Sequence, residues 1–176
     1  MKKLLALLMA LMMCCTARVF AEEAEEEADV PEVTMEVSFD AQTVVLGDMG
    51  LTMAIPADWT AQEVPEGTEN AENVLLFALN ADQTISITVQ ISEMTFEALL
   101  ENIEAAGATD EMLSEVVIND IYCLMYNPSE TVLALYAFLD DETVLAVTFQ
   151  TASAETSDAM GNTPLEMFGS LAEAEE

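Results

Sequence analysis

Beyond Arg18 the chain contains no lysine, no arginine and no histidine. The three basic residues of the whole 176-residue sequence, Lys2, Lys3 and Arg18, all precede residue 22, and the 34 acidic residues all follow residue 21. Each absence excludes a class of function. Binding to nucleic acid needs basic groups that displace counterions from phosphates, and anionic membrane surfaces need the same groups. Without histidine or lysine there is no Ser-His-Asp arrangement, no Schiff-base amine and no imidazole metal site. The six glycines are scattered, so no glycine-rich loop can cradle a phosphate. Beyond residue 21 only Cys123 remains, and a lone thiol closes no internal disulfide. The fold must be held by its core.

What is present begins with a leader pattern. Lys2 and Lys3 precede an apolar run from Leu4 to Cys15, and Val19-Phe20-Ala21 offers a cleavage site before Glu22. The run is too short to span a bilayer, so residues 1–21 read as a secretory signal peptide. Lipidation at Cys14 or Cys15 is the alternative, against which stands Met13, since such signals want a small residue before the cysteine. Residues 22–42 read as an acidic, disordered tail or linker, with six acids among residues 22–29 and a candidate early strand at 35–39. After cleavage the formal charge is 0 − 34 = −34, against −31 for the whole chain. Cationic proteins or peptides and divalent cations are the partners such a surface suits; a solubility coat that prevents association is the preferred reading.

Residues 43–172 read as one α+β domain. Strands are expected at 43–46 and 51–55 around Gly47-Asp48-Met49-Gly50, then at 74–79 and 84–91. Ile85, Ile87, Val89 and Ile91 alternate with Thr84, Ser86, Thr88 and Gln90, the pattern of a strand with one buried face. The period then changes: Phe96, Leu99, Leu100 and Ile103 fall at i, i+3, i+4 and i+7, with Thr95 as N-cap and Gly107 just past the end. Residues 114–118 and 121–126 flank Asn119-Asp120, a two-residue hairpin signal, and 131–139 and 143–151 flank Asp140-Asp141-Glu142. Both faces of 131–139 are apolar, which requires a layer above and a layer below the sheet. Thr163-Pro164-Leu165-Glu166 reads as a capping box opening a terminal helix, and residues 173–176 as a frayed acidic end. The expected architecture is a mostly antiparallel sheet covered by amphipathic helices.

Gly50, Leu51, Ile55, Pro56 and Trp59, the helix after the long strand, and a terminal helix containing Phe168-Gly169-Ser170-Leu171 together resemble the PsbP-like α/β/α sandwiches. These share their fold with nuclear-import factors that bind the Ran GTPase. The resemblance covers residues 43–172 and implies a non-enzymatic accessory or binding module, often exported and often assisting a larger assembly. Relatives in both groups use contacts that include basic residues, which residues 22–176 lack, so their partners do not carry over.

No catalytic residues and no cofactor are expected. The surviving enzymatic chemistry is a carboxylate pair, as in an extracellular hydrolase, but 34 acids make pairs by chance. A calcium-stabilised structural module is the other alternative. Asp140, Asp141 and Glu142 are its candidate metal ligands, although a polar hairpin turn explains the same residues. The methionines beyond residue 21 are scattered rather than clustered and read as core filler, not as copper ligands.

Overall fold

In the computed structural model, residues 30–68 and 70–174 are described. The expected signal peptide, the lipidation alternative at Cys14 or Cys15, the acidic residues 22–29, and Glu175 and Glu176 lie outside them. Pro31 to Glu176 forms one unit.

Two sheets carry the fold. The larger has eight strands in the order β1-β7-β8-β9-β10-β6-β5-β4. They are β1 (Glu32–Val33), β4 (Thr60–Ala61), β5 (Val74–Leu79), β6 (Ile85–Glu93), β7 (Leu113–Ile118), β8 (Ile121–Ser129), β9 (Val132–Asp140) and β10 (Thr143–Thr151). It is antiparallel throughout, with β10 returning to pair with the distant β6, except where β1 joins β7 in parallel. The smaller sheet, in the order β11-β3-β2, is built from β2 (Ala41–Val45), β3 (Leu51–Pro56) and β11 (Ala172–Glu173).

The turns follow their residues. Asn119 and Asp120 both take positive φ, 48° and 67°, as a two-residue hairpin of the favoured twist demands. Asn80 closes the β5–β6 turn by accepting the Thr84 and Ile85 N–H groups on Oδ1 at 2.8 and 3.0 Å. Pro128 sits where the β8–β9 register shifts between Tyr126 and Ser129, so the missing N–H costs no ladder bond and the strand runs past its expected end.

One face of the large sheet carries helix α1 (Phe96–Ala105), with Leu99 and Ile103 buried against Leu124 and Val144. Burying side chains of this size contributes about 1.5–3 kcal/mol each. Thr95 Oγ1 accepts the Ala98 N–H at 3.3 Å, the expected cap. On the other face, Ile87, Val89, Leu135, Ala137, Leu145, Val147 and Phe149 meet Met53 and Ile55 of the small sheet and Leu165, Met167 and Phe168 of helix α3 (Thr163–Gly169). The apolar pair of faces on β9 is thereby explained. That second layer is largely a three-stranded sheet, however, which the single-sheet expectation did not contain. A short helix α2 (Ala154–Met160), capped by Ser153, also joins β10 to α3.

Three boundaries are corrected. Residues 31–42 are not a linker: Val117 N–H donates to the Pro31 carbonyl at 2.9 Å and Asn119 N–H to the Val33 carbonyl at 3.1 Å, while Met35 and Phe39 pack on the core. Glu173 is not frayed, since Ala172 and Glu173 pair with Thr52 and Leu51. The capping box does not form: the N-cap is Asn162 with no side-chain cap bond, and the buried Glu166 carboxylate turns to Ser38, accepting its N–H at 2.9 Å and its hydroxyl at 2.8 Å.

Cys123 is fully enclosed, and burial pushes its thiol up to about 12. The thiolate is the reactive species, so it is essentially absent at neutral pH. The native domain is expected to ignore an aromatic disulfide reagent for hours at pH 7.5 and to react fully once urea unfolds it. A rapid native reaction would show that the β8 region opens.

Candidate functional site

The functional side chains come together where three elements end. The hairpin Asp140-Asp141-Glu142 joins β9 to β10, and Met94 N–H donates to the Glu142 carbonyl at 2.8 Å, which fixes the hairpin tip beside the start of α1. Phe96 is the first residue of α1, Tyr122 the second of β8, and Phe138 lies near the end of β9. One step beyond the Cys123–Ala137 pair, Tyr122 faces Phe138 across the ladder.

The three rings pack on one another. Phe96 meets Phe138 at 5.3 Å between centroids and 67°, and meets Tyr122 at 6.4 Å and 64°. Tyr122 and Phe138 are 6.1 Å apart at 46°. The two edge-to-face contacts of Phe96 put the positive rim of one ring against the negative face of another, while Tyr122 and Phe138 are tilted. They leave an open cleft of about 550 Å³ lined by the three aromatics and by Thr95, Glu97, Asp140 and Asp141. Tyr122 is anchored by a hydrogen bond to Glu115, and its hydroxyl is pushed up to about 12, by burial first and then by that carboxylate. It therefore stays protonated and neutral at any physiological pH.

The expected metal ligands divide their roles here. Asp140 caps its own turn: Oδ1 accepts the Glu142 N–H at 2.9 Å and Oδ2 the Thr143 hydroxyl at 3.0 Å. These bonds hold its carboxyl below the usual carboxylate range. Asp140 and Asp141 both line the cleft, and Glu142 does not. Among the described residues no group of three or more His, Cys, Asp or Glu is placed to hold a metal ion.

Sequence reasoning missed Phe96, Tyr122 and Phe138 as a site. Phe96 reads as part of its helix's apolar stripe and Tyr122 and Phe138 fall inside expected strands, and only the β8–β9 register and the helix entry bring them together. A second cleft of about 370 Å³ lies between the β3–β4 corner and α2, against Phe39, Trp59, Asn80, Ile85 and Met160. Asp58 is its only carboxylate, and Trp59, 6 % exposed, is mainly a core residue.

No family model and no curated protein matches the chain. Among solved structures it is similar to the solution structure of cyanobacterial PsbP from Synechocystis sp. PCC 6803, with a TM-score of 0.51 and 15 % identity over 76 % of this chain and 92 % of that one. The fold is PsbP-like. A crystal structure from Bacteroides thetaiotaomicron is also similar, with a TM-score of 0.49 and 14 % identity over 78 % of this chain, which spans half the length of that one. At such identity the PsbP-like likeness concerns fold alone. Two of the residues that carried the resemblance have structural duties in this PsbP-like frame. Ser170 Oγ accepts the Ala54 N–H at 2.8 Å and donates to the Met167 carbonyl, and Gly169 lies against Asn119.

Proposed function

We propose that the chain is an exported, non-catalytic binding or accessory domain whose partner is a cationic protein or peptide. Export rests on the leader pattern of residues 1–21, with cleavage after Ala21. In layering we read the domain as an α/β/α sandwich, in which the three-stranded sheet takes over part of one helical layer. The observation that carries the reading is the cleft itself. It joins half-buried aromatic side chains to exposed carboxylates, in a chain that beyond residue 21 supplies no cation of its own to satisfy them. Aromatic faces and carboxylates both attract cations, and the field of 34 carboxylates speeds the encounter.

The test is isothermal titration of residues 22–176 with a short peptide of alternating basic residues at 150 mM NaCl. Saturation at one peptide per domain is expected. Uptake of many peptides per domain without saturation, the behaviour of any polyanion, would reduce the acidic surface to a solubility coat.

A further inference from the structure

We propose that the cleft formed by Phe96, Tyr122 and Phe138 is the seat of an arginine side chain, presented by an extended cationic segment of the partner, with Glu97 and Asp141 as its charge acceptors. This rests on, and deepens, the reading of the domain as a binder of cationic proteins.

The chemistry of the lining selects the ligand. Three rings at 5.3–6.4 Å from one another are too close to admit a cation between them. Tilted at 46–67° to one another, they line the cleft with ring surface on which a planar ligand can stack more closely than a spherical one. Guanidinium is planar, weakly hydrated and stacks on ring faces, whereas an ammonium is compact and gives up its water reluctantly. The rim supplies what the five guanidinium N–H groups need. Asp140 spends both oxygens on its turn, but Glu97 and Asp141 accept no hydrogen bond from any described residue, and no basic residue follows position 18 to pair with them. Each of these carboxylates is an acceptor that a guanidinium can engage with two parallel N–H groups.

Two further features agree. The volume, about 550 Å³, exceeds one side chain and leaves room for flanking backbone, so a peptide rather than free arginine is the ligand. The N-terminus of α1 contributes only about half a positive charge, and Thr95 already caps the Ala98 N–H. Three carboxylates at the cleft outweigh it, so the local field still favours a cation.

The experiment uses three fluorescein-labelled nonapeptides that differ only in having arginine, lysine or citrulline at alternate positions, titrated into residues 22–176 at 150 mM NaCl. Citrulline keeps the planar shape and loses the charge. The arginine peptide is expected to bind about tenfold tighter than the lysine peptide, with citrulline near baseline. Phe138→Ala and Asp141→Asn should each weaken the arginine peptide about tenfold and erase the preference over lysine, whereas Asp82→Asn, the same charge change at the β5–β6 turn, should not. Phe138→Ala removes packing beneath α1, so Asp141→Asn, at an exposed hairpin tip, decides the matter if that variant unfolds. Equal arginine and lysine affinities, unchanged in Asp141→Asn, would overturn the cleft while leaving the cation-binding reading standing. Saturation by none of the peptides would overturn both.

Discussion

Asn119→Ala is expected to destabilise the domain by about 4 kcal/mol, from three lost hydrogen bonds at roughly 1 kcal/mol each and about 1 kcal/mol from its backbone conformation. Its Oδ1 accepts the Met35 N–H at 2.8 Å, and its Nδ2 donates to the Met35 carbonyl at 2.7 Å and the Gly169 carbonyl at 2.9 Å. One side chain on the β7–β8 turn thus ties the N-terminal segment and the end of α3 to the large sheet. The same residue stands at φ 48°, where asparagine is tolerated and alanine is strained. Asn119→Gly separates the two causes, because it relieves φ but restores no hydrogen bond; it should recover only about 1 kcal/mol. Gly169→Ala should imitate the loss from the opposite side. A Cβ there would lie 2.9 Å from both Asn119 Nδ2 and Ile118 Cγ2, so the helix end and the turn must part. Urea unfolding of the three variants checks this. A change under about 0.5 kcal/mol for Asn119→Ala would mean that residues 31–40 lie on the sheet without being held by it.

That tie also explains which parts of the fold could be read from the residues. Strand β6, helix α1 and the hairpins around Asn119-Asp120 and Asp140-Asp141-Glu142 are local statements, in which alternation, a cap and a turn lie within a dozen residues of one another. The attachment of residues 31–42 is not local. The strand expected at 35–39 does not form; Glu32–Val33 pair instead, Val33, Met35 and Phe39 are only half-buried, and the bonds that hold the segment reach to Asn119 and Glu166. Glu166 shows the limit of a motif. A glutamate three residues after a threonine suits a capping box, but with an N–H and a hydroxyl of Ser38 within reach the carboxylate binds there instead. The candidate site was half legible. Its carboxylates stand out in the sequence as the polar hairpin Asp140-Asp141-Glu142, and two of the three, Asp140 and Asp141, line the cleft. Its aromatic lining was invisible, because Phe96, Tyr122 and Phe138 each look like core until strand register and helix entry are known.

Raising NaCl from 0.01 to 1 M is expected to stabilise residues 22–176 by a few kcal/mol, a rise in Tm of roughly 5–10 °C for a domain of this size. The sign follows from geometry. A charge of −34 with no basic residue to offset it is held within a radius of gyration of about 15 Å when folded, against about 41 Å when unfolded. Repulsion therefore falls on unfolding, and the unfolded state is favoured wherever screening is weak. As the Debye length shrinks from about 30 to about 3 Å, that difference vanishes. NaCl is the right salt for the measurement, since sulfate strengthens apolar burial whatever the charge. Calcium should act as a screening ion, with a gradual rise in Tm and no saturation at low concentration, because Asp140, Asp141 and Glu142 do not converge on a point. Removing residues 22–29 separates charge from any direct effect of salt. It takes away six of the 34 acids without touching the described strands, so the salt response should shrink while the plateau at 1 M stays where it was. If the melting temperature is flat across the whole range, the folded chain spreads its carboxylates well enough for water alone to screen them, and the acidic surface carries no cost in stability.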